Sequence, residues 1–319
     1  MNCIVTGGAG FIGSHVTESL LNTDHKVIVI DDFSLGKEEN LAHLKENKNL
    51  TIVKRSITEN LLDILTPEIN AIFHLAALPR VQFSIQYPQE THHVNINGTL
   101  NLLEACRKAG IKRFIFSSSS AIYGNQEKLP IQEEMKPLPL SPYALQKLAG
   151  EYYCKLYQEI YGLETISLRY FNVYGPRQNT EGTYANLIPK CISLVEKNTP
   201  PQIYGNGEQT RDFIFVSDVV DANLLAAAAK NQQCFGEAFN IGSGKNFSVK
   251  NVIEEIVKRS RKKIIPLYNP PVIEPRDTLA GISKAKELLS WEPKISFEKG
   301  IEETYRFFSK KERNQVKYA

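Results

Sequence analysis

The first thirteen residues place the strongest constraint on the fold. Asn2 to Thr6 have the apolar pattern of a buried strand, and they run directly into Gly7-Gly8-Ala9-Gly10-Phe11-Ile12-Gly13 and an amphipathic helix. Gly7 allows a tight turn, Gly10 lets the backbone approach a pyrophosphate, and Gly13 lets the helix pack on the strand. The N–H groups and the dipole of the helix N-terminus can then hold the anion. The segment predicts a strand–turn–helix unit that binds the phosphates of a dinucleotide.

An acidic residue at the end of the next strand narrows the choice of dinucleotide. Lys26 to Ile30 have the pattern of a second buried strand, and Asp31 follows it. A carboxylate about 20 residues after the glycines is placed to bind the hydroxyls of the adenosine ribose. The same carboxylate would repel a 2′-phosphate. The sequence therefore predicts NAD, in preference to NADP, as the cofactor.

Strands and helices continue to alternate along the first half of the chain, which predicts an α/β fold with a doubly wound, Rossmann-like parallel sheet. The remainder is richer in proline, glycine and loops. We therefore predict an NAD-binding domain at residues 1–170 and a smaller C-terminal substrate-binding lobe at 171–319, with segments that return to the first domain. The further strands are predicted at 50–54, 71–75, 113–117 and 164–169, and helices at 91–109, 142–161, 185–196, 217–229 and 248–260.

Tyr143 and Lys147 point to acid–base chemistry. Pro142 suits the first turn of a helix, so Tyr143 and Lys147, four residues apart, project from one helical face. A cation beside a phenol favours the phenolate and draws its pKa from about 10 toward neutrality. Such a tyrosine can take a proton from an alcohol. The same spacing also occurs in ordinary surface pairs, and the pair alone leaves that alternative open.

Two other segments are predicted at the ligand-binding edge of the sheet. In a doubly wound sheet, ligands lie beyond the carboxyl ends of the strands. Ala76-Ala77-Leu78 follows one predicted strand, and Ser117-Ser118-Ser119-Ser120 begins at the last residue of another. A serine there could hydrogen-bond a sugar hydroxyl and the Tyr143 oxygen together. The alternative is a turn in which the serines bond only to local backbone.

The helix that begins at Pro142 carries an apolar stripe at a spacing of four residues. Its members are Leu148, Tyr152, Leu156 and Ile160. Packing in the core is the default expectation for such a stripe. Together with the helix around 101–109, it could instead form the face of a homodimer. The sequence leaves both readings open.

Composition excludes several classes of partner. A net charge of +3 on 319 residues is too mild to imply nucleic acid, so we expect a small ligand. The five cysteines are scattered, and no His/Cys/Asp cluster has metal-ligand spacing, so neither a disulfide framework nor a metal is expected.

The N-terminus lacks the pattern of a signal peptide, and no apolar run is long enough for a membrane span. The sequence predicts a cytoplasmic protein that binds neither nucleic acid nor membrane.

Five ordered motifs resemble the extended short-chain dehydrogenase/reductase superfamily, in its nucleotide-sugar epimerase branch. They are Gly7-x-x-Gly10-x-x-Gly13, Asp31, the serine run before Ala121-Ile122-Tyr123-Gly124, Tyr143-x-x-x-Lys147 and Arg169-Tyr170-Phe171-Asn172. The resemblance covers Met1 to about Phe308. It is nearest to the UDP-N-acetylglucosamine and UDP-glucose 4-epimerases.

The resemblance implies roles for individual residues. Ser119 takes the position of the catalytic serine, Tyr143 is the acid/base, and Lys147 binds the nicotinamide ribose. Cofactor contacts are implied for Gly7, Gly10, Phe11, Ile12, Gly13, Asp31, Ile57, Leu75, Ala76, Ala77, Ser117, Tyr143, Lys147 and Tyr170. Substrate contacts are implied for Ser119, Tyr143, Asn172, Asn186, Tyr204, Arg211, Arg276 and Thr278. Among these, Asn172 and Arg211 meet the diphosphate, Asn186 the nucleotide and Tyr204 the uracil. Tyr204 could instead lie in the core, and Arg211 could instead pair with an acid.

The chain also departs from the pattern it resembles. Where the family often has Gly-Asp-Ile after the third strand, this chain has Arg55-Ser56-Ile57. The family's Arg-x-Gly-Asp loop is shortened here to Ile273-Glu274-Pro275-Arg276-Asp277-Thr278, with Arg276 as the candidate diphosphate ligand. Thr278 then falls near a position that is bulky in glucose-restricted enzymes. A threonine leaves room for an acetamido group.

The implied activity is that of a UDP-sugar 4-epimerase with tightly bound NAD. Tyr143 removes the C4 hydroxyl proton, the hydride passes to nicotinamide, and the 4-keto sugar rotates and receives the hydride on its other face. Three alternatives stay open. A UDP-glucuronate epimerase or decarboxylase shares the first step, as does a nucleotide-sugar 4,6-dehydratase, which Ser120-Ala121 disfavour because an acid stands there in dehydratases. A non-catalytic NAD-binding sensor is the alternative from another class.

Overall fold

In the computed structural model the chain is described for residues 1–180, 187–270 and 277–317, with side chains through residue 310. The strands of this part are β1 (Asn2–Thr6), β2 (Lys26–Asp31), β3 (Leu50–Lys54), β4 (Ala71–His74), β5 (Arg113–Ser119), β6 (Glu164–Tyr170), β7 (Asn172–Tyr174), β8 (Gln202–Tyr204), β9 (Thr210–Phe215), β10 (Glu237–Ile241), β11 (Asn246–Ser248) and β12 (Leu267–Asn269). The helices are α1 (Phe11–Leu21), α2 (Val81–Gln86), α3 (Pro88–His92), α4 (Thr99–Ala109), α5 (Pro142–Tyr161), α6 (Leu187–Glu196), α7 (Val216–Ala228), α8 (Val249–Ser260), α9 (Ser283–Leu289) and α10 (Phe297–Lys317). A π-helical turn at His93–Gly98 joins α3 to α4.

Seven parallel strands form the central sheet, in the order β10-β6-β5-β4-β1-β2-β3. The chain winds outward from β1 in both directions, with β2 on one side and β4 on the other. This reversal of direction opens a crevice at the carboxyl ends of the strands. The Rossmann-like doubly wound sheet predicted from the sequence is confirmed. The serine run belongs partly to the sheet, because β5 extends through Ser119 and not only to Ser117.

Alternate residues of the strands fill two cores, one on each face of the sheet. Val5, Phe73 and Ile115 pack on the side of α1 and α7, whereas Ile72 and Phe114 pack on the side of α4 and α5. This alternation follows from the two-residue period of a strand. Both faces are apolar because a parallel sheet is covered by helices on both sides. The sheet is thereby a rigid support for side chains at its carboxyl edge.

A smaller lobe follows β6. Its β7, β9 and β11 form a three-stranded sheet, β8 and β12 form a parallel pair, and α6, α8 and α10 pack around a separate aromatic and aliphatic cluster. The chain nevertheless returns to the large sheet, because β10 pairs with β6 and α7 packs on α1. The division between residues 170 and 171 stays a prediction. No helix in the described ranges combines the length and the apolar character that crossing a membrane requires.

Helix α5 has well-defined ends and two different faces. Ser141 caps its first turn by accepting a hydrogen bond from Ala144 N at 3.2 Å, and Gly162 ends it in the left-handed conformation. The expectation that its apolar stripe packs in the core is wrong beyond Leu148. Tyr152, Leu156 and Ile160 are 57, 46 and 64% exposed. A spacing of four residues gains about 40° on each helical turn, so the stripe winds away from the core.

Candidate active site

The glycine loop after β1 has the geometry that a pyrophosphate requires. Gly7 has a φ of +69°, and a Cβ on it would lie 2.7 Å from the backbone nitrogen of Ala76. A Cβ on Gly13 would lie 2.1 Å from the Gly7 carbonyl oxygen. Gly10 precedes α1, whose start has no capping side chain and whose first turn, with Phe11 and Ile12, carries no acid. The N-terminus of α1 therefore remains free to bind an anion.

Asp31 lies at the end of β2 and fits a ribose. Its Oδ2 accepts a hydrogen bond from Ala9 N at 2.9 Å, and its Oδ1 accepts one from Phe33 N at 2.8 Å. Burial raises the pKa of the carboxyl group, and these two bonds oppose that rise. A Cβ on Gly36 would lie 2.7 Å from Oδ1, so glycine leaves space beside the carboxylate. Each oxygen keeps further acceptor capacity for a ribose hydroxyl.

The other predicted cofactor residues line the same edge. Leu75 and Ala76 follow β4, and their backbone nitrogens donate to Thr6 O at 3.1 Å and Thr6 Oγ1 at 3.3 Å; Ala77 comes next in this partly buried segment. Ser117 Oγ and the Tyr170 hydroxyl are hydrogen-bonded at 3.1 Å. Ile57 is buried, and its side chain fills the space that a Cβ on Gly98 would take.

Arg55, at the departure from the Gly-Asp-Ile pattern, is engaged elsewhere. Its guanidinium donates to Asp63 at 2.6 Å and to Asn60 O at 3.0 Å. Ser56 Oγ is hydrogen-bonded to Thr58 Oγ1 at 2.9 Å. In the protein by itself, both polar side chains of this segment are thus bonded to nearby loop residues.

Ser119, Tyr143 and Lys147 meet at the carboxyl end of β5. The Tyr143 side chain is hydrogen-bonded to Ser119, and Lys147 Nζ donates to Ser117 O at 2.7 Å. Lys147 Nζ also lies 6.0 Å from the centroid of the Tyr143 ring. Ser84 Oγ accepts a hydrogen bond from Tyr143 N at 3.0 Å and fixes the start of α5. A serine, a phenol and an ammonium therefore share one corner of the crevice.

The pKa of Tyr143 differs from the sequence expectation. Burial raises it to about 12, and the hydrogen bond from Ser119 offsets part of the rise. Burial lowers the pKa of Lys147 to about 8. The expectation of a tyrosine pKa near neutrality is therefore wrong for the protein by itself. The sequence predicted the neighbouring cation, but the loss of solvent around both groups, which favours their neutral forms, comes from the fold.

Three of the predicted substrate residues lie close together in the smaller lobe. Asn172 Nδ2 donates to Asp212 O at 3.1 Å, next to Arg211 on β9. Thr278 Oγ1 accepts from Asp212 N at 3.3 Å, so its hydroxyl faces β9. Arg211 donates to Thr210 O at 2.9 Å. The predicted residues Asn186 and Arg276 lie outside the described residues.

Tyr204 lies on β8 and not in the core. The residue is 40% exposed, and its hydroxyl donates to Gln202 Oε1 at 3.1 Å. The alternative that Tyr204 is a core residue is therefore wrong. The exposed ring is available for stacking.

The sequence matches a known protein family. The model of the NAD dependent epimerase/dehydratase family matches residues 3–242. The chain belongs to this family. Its predicted residues at the crevice are therefore parts of an enzyme, and the alternative of a non-catalytic sensor is set aside.

Known relatives, two of them with solved structures, cover nearly the whole chain. A UDP-N-acetylglucosamine 4-epimerase from Methanobrevibacter ruminantium M1, in complex with UDP-N-acetylmuramic acid, shares 40% identity over 97% of this chain and 98% of its own, with a TM-score of 0.93. A UDP-glucuronic acid 4-epimerase from Bacillus cereus, in complex with UDP-glucuronic acid and NAD, shares 35% identity over 97% of this chain and 99% of its own, with a TM-score of 0.90. The UDP-glucose 4-epimerase of Mycolicibacterium smegmatis is 35% identical over 317 residues, 98% of this chain and 99% of the relative.

NAD is the cofactor of this family member. The uncapped N-terminus of α1, the glycine loop and the Asp31 carboxylate fit its pyrophosphate and adenosine ribose. Among the described residues, no group of three His, Cys, Asp or Glu side chains is placed to hold a metal ion.

Reasoning from the sequence missed several polar residues that support this epimerase-family site. Glu151 lies one turn after Lys147 and accepts a hydrogen bond from Ser118. Gln146, between Tyr143 and Lys147, accepts from Asn95 Nδ2 at 2.8 Å. Asn95 Oδ1 also accepts from Leu78 N at 2.8 Å and so holds the loop after β4. The spacing of Tyr143, Lys147 and Glu151 was a signal, because all three fall on one helical face.

Proposed function

We propose that the protein is a UDP-sugar 4-epimerase that acts on UDP-N-acetylglucosamine, UDP-glucose or both. The observation that carries the proposal is the meeting of Ser119, Tyr143 and Lys147 at the ligand edge of the sheet. Family membership and relatives that act on UDP-sugars support the same activity.

Each of the three residues has a role that follows from its position. Tyr143 accepts the proton of the sugar C4 hydroxyl and returns it after the 4-keto sugar has turned. Ser119, hydrogen-bonded to Tyr143, orients the sugar hydroxyl and the phenol for this transfer. Lys147, anchored on Ser117 O, supplies positive charge beside the phenol. When bound, NAD supplies the acceptor and the donor of the hydride.

The smaller lobe is proposed to bind the UDP half of the substrate. Asn172 and Arg211 lie on neighbouring strands, since Asn172 pairs with Phe213, and we assign both to the diphosphate. A guanidinium suits this task because it donates two parallel hydrogen bonds to an anion. Tyr204 is assigned to the uracil ring. Asn186 and Arg276 keep the nucleotide and diphosphate roles that the resemblance implies.

The rival reactions make different demands on the crevice. A 4,6-dehydratase needs an acid beside the catalytic serine, and here Ser120 and Ala121 begin a 3-10 turn in which Ser119 Oγ accepts from Ala121 N at 3.2 Å. A UDP-glucuronate epimerase or decarboxylase shares the three residues of the corner. The sugar acid must therefore be tested directly.

The test is incubation of the purified protein with UDP-N-acetylglucosamine, UDP-glucose or UDP-glucuronate, without added NAD, followed by NMR of the anomeric protons. We expect the C4 epimer of at least one neutral sugar. Conversion of UDP-glucuronate alone, or loss of its carboxylate as CO2, would assign the rival activity. No product from any of the three, with NAD added in a repeat, would contradict the proposal.

The outer face of α5 supports a homodimer. Leu145, Tyr152, Leu156 and Ile160 expose apolar surface on one helix. We propose that a second copy of this chain covers that face across a two-fold axis, together with α4, which packs beside α5. Replacement of both Leu156 and Ile160 by Glu should give a folded monomer in sedimentation equilibrium. Replacement of exposed Leu62 by Glu is the matched control, and an unchanged mass for the double variant would contradict the interface.

A reducing compartment is proposed as well. Cys3, Cys106, Cys154, Cys191 and Cys234 are all free and buried. Free thiols of this kind are typical of cytoplasmic proteins. We therefore retain the cytoplasm as the proposed location.

A further inference from the structure

Three consecutive serines at the end of β5 contact three side chains of α5. Ser119 bonds to Tyr143, the carbonyl oxygen of Ser117 accepts from Lys147 at 2.7 Å, and Ser118 Oγ donates to Glu151. Tyr143, Lys147 and Glu151 follow each other at intervals of four residues. The catalytic pair is thus part of a longer ladder between strand and helix, and Glu151 is its last member.

Glu151 is fixed on its other side by Arg169 of β6. Arg169 Nε lies 3.0 and 3.2 Å from the two carboxylate oxygens, and its terminal nitrogen lies 2.7 Å from Oε2. Arg169 also donates to the Tyr123 hydroxyl at 2.6 Å and to Glu133 O at 3.0 Å. Glu151 and Arg169 are both buried. Bidentate pairs of this kind fix geometry as well as charge, so the carboxylate has one position relative to β5 and β6.

The charge of Glu151 matters because Lys147 is buried without an ion pair of its own in the described part of the chain. Lys147 Nζ lies over the Phe116 ring at 5.0 Å. Burial lowers its pKa to about 8, and two neighbours on α5, Cys154 and the negatively charged Glu151, oppose that shift. Other titratable or charged groups also surround the Lys147–Glu151 segment. They are His74 on β4, Tyr143 and Cys154 on α5, and Arg169 and Tyr170 on β6.

We propose that Glu151 is a positioning residue for the reaction. Through Ser118 and Arg169 it holds the Tyr143–Lys147 face of α5 against Ser119, and its carboxylate keeps Lys147 charged beside the tyrosine. Three neighbouring titratable groups, His74, Cys154 and Tyr170, are neutral at pH 7, so they do not supply the negative charge that keeps Lys147 protonated. Burial lowers the pKa of His74 to about 3, so His74 is neutral at pH 7. Burial raises the pKa values of Cys154 and Tyr170, which are neutral there as well.

The test rests on the proposed epimerase activity and compares Glu151→Gln with Glu151→Asp. Glutamine keeps the size of the side chain and removes the charge. We expect kcat to fall about tenfold or more with KM nearly unchanged, since the change acts on the proton transfer. We also expect the alkaline limb of the kcat profile to move to lower pH by about one unit, because Lys147 loses its proton more easily. Aspartate keeps the charge, so the limb should stay in place while kcat falls.

A double variant keeps the proposal testable if the single variant does not fold. If Glu151→Gln fails to fold because Arg169 is left unpaired, Glu151→Leu with Arg169→Met removes both buried charges, a change that folded proteins often tolerate. That double variant should retain NAD and show a smaller downward shift than Glu151→Gln, because the loss of the Arg169 charge offsets part of the loss of the Glu151 charge. A folded, NAD-loaded variant whose alkaline limb coincides with that of the wild type would overturn the proposal.

A readout without sugar separates this proposal from the epimerase assignment. Cyanoborohydride can reduce bound NAD chemically, and absorbance at the wavelength of reduced nicotinamide follows its rate. A protonated Lys147 near the ring should speed this reduction, so the pH at which the rate falls should be lower in Glu151→Gln and unchanged in Glu151→Asp. If the wild type converts no sugar, the function fails, and this profile alone decides the role of Glu151. Coincident profiles for wild type and Glu151→Gln would again overturn it.

Discussion

The proposed catalytic corner, formed by Ser119, Tyr143 and Lys147, and the proposed substrate lobe, which is the smaller lobe after β6, are built in different ways. In the corner, Tyr143 and Lys147 are buried and each is held by a hydrogen bond to β5. In the lobe, Tyr204 is 40% exposed, and its hydroxyl bonds only two residues away on the same strand. The corner therefore fixes reacting groups before any ligand binds, whereas the lobe presents surface for a ligand to cover. Changes in the corner should lower kcat, and changes in the lobe should raise KM.

The largest effect is expected for Tyr143→Phe. Loss of the phenolic oxygen removes the acid/base, so kcat should fall by about 10² to 10⁴. Bound NAD, measured after denaturation of the protein, should stay at the wild-type level. Tyr204→Phe, which also removes one phenolic oxygen, is the matched control and should keep kcat. If Tyr143→Phe turned over substrate at nearly the rate of Tyr204→Phe, Tyr143 would not be the acid/base, and the proposed difference between the corner and the lobe would be wrong.

Asp31→Ala should separate cofactor binding from chemistry. The substitution removes the ribose acceptor and leaves the N–H groups of Ala9 and Phe33 without their partner. We expect NAD affinity to fall about tenfold to a hundredfold, as for the loss of charge-assisted hydrogen bonds. Calorimetric titration of the cofactor-stripped protein measures this. Asp32→Ala, at an exposed neighbour, is the control; equal affinities for the two variants would refute the role of Asp31.

Tyr204→Ala tests the lobe. Loss of a ring that stacks on a base typically costs about 1–3 kcal/mol. We therefore expect KM for the UDP-sugar to rise about tenfold with kcat nearly unchanged. Tyr268→Ala is the control, because Tyr268 pairs with Ile203 and so lies on the opposite face of the β8–β12 pair from Tyr204. If Tyr204→Ala lowered kcat and left KM unchanged, the lobe would respond to substitution as the corner does, and the proposed difference between them would be wrong.

Thr278→Tyr is expected to have the smallest and most selective effect. A bulky side chain should lower kcat/KM for UDP-N-acetylglucosamine by about tenfold and spare UDP-glucose, because only the first sugar carries an acetamido group. Thr278→Val removes the hydrogen bond to Asp212 N without adding bulk and serves as the control. Equal losses on both sugars would show that Thr278 supports β9 and does not select the sugar.

The catalytic corner could be predicted further than the lobe. Helical spacing alone predicted that Tyr143 and Lys147 share a face, and the family resemblance singled out Ser119 from the serine run. The lobe consists of short strands and irregular loops. Their sequences have no hydrophobic periodicity from which the direction of a side chain could be predicted. The relation of Thr278 to β9 and the exposure of Tyr204 came only from the pairing of distant segments. The outer face of α5 could not be read correctly either, because burial depends on which elements surround a helix.

The sequence by itself determined the local geometry of this protein. Gly7 and Gly13 are needed wherever a strand turns this tightly into a helix, and Asp31 ends its strand in any arrangement of the rest. Only the tertiary structure decided the electrostatics. It buried Tyr143 and Lys147 together, which raises the tyrosine pKa and lowers that of the lysine, and it brought Ser118 and Arg169 to Glu151 from two neighbouring strands. Desolvation and ion pairing depend on all the elements around a group, so no local pattern could have fixed them.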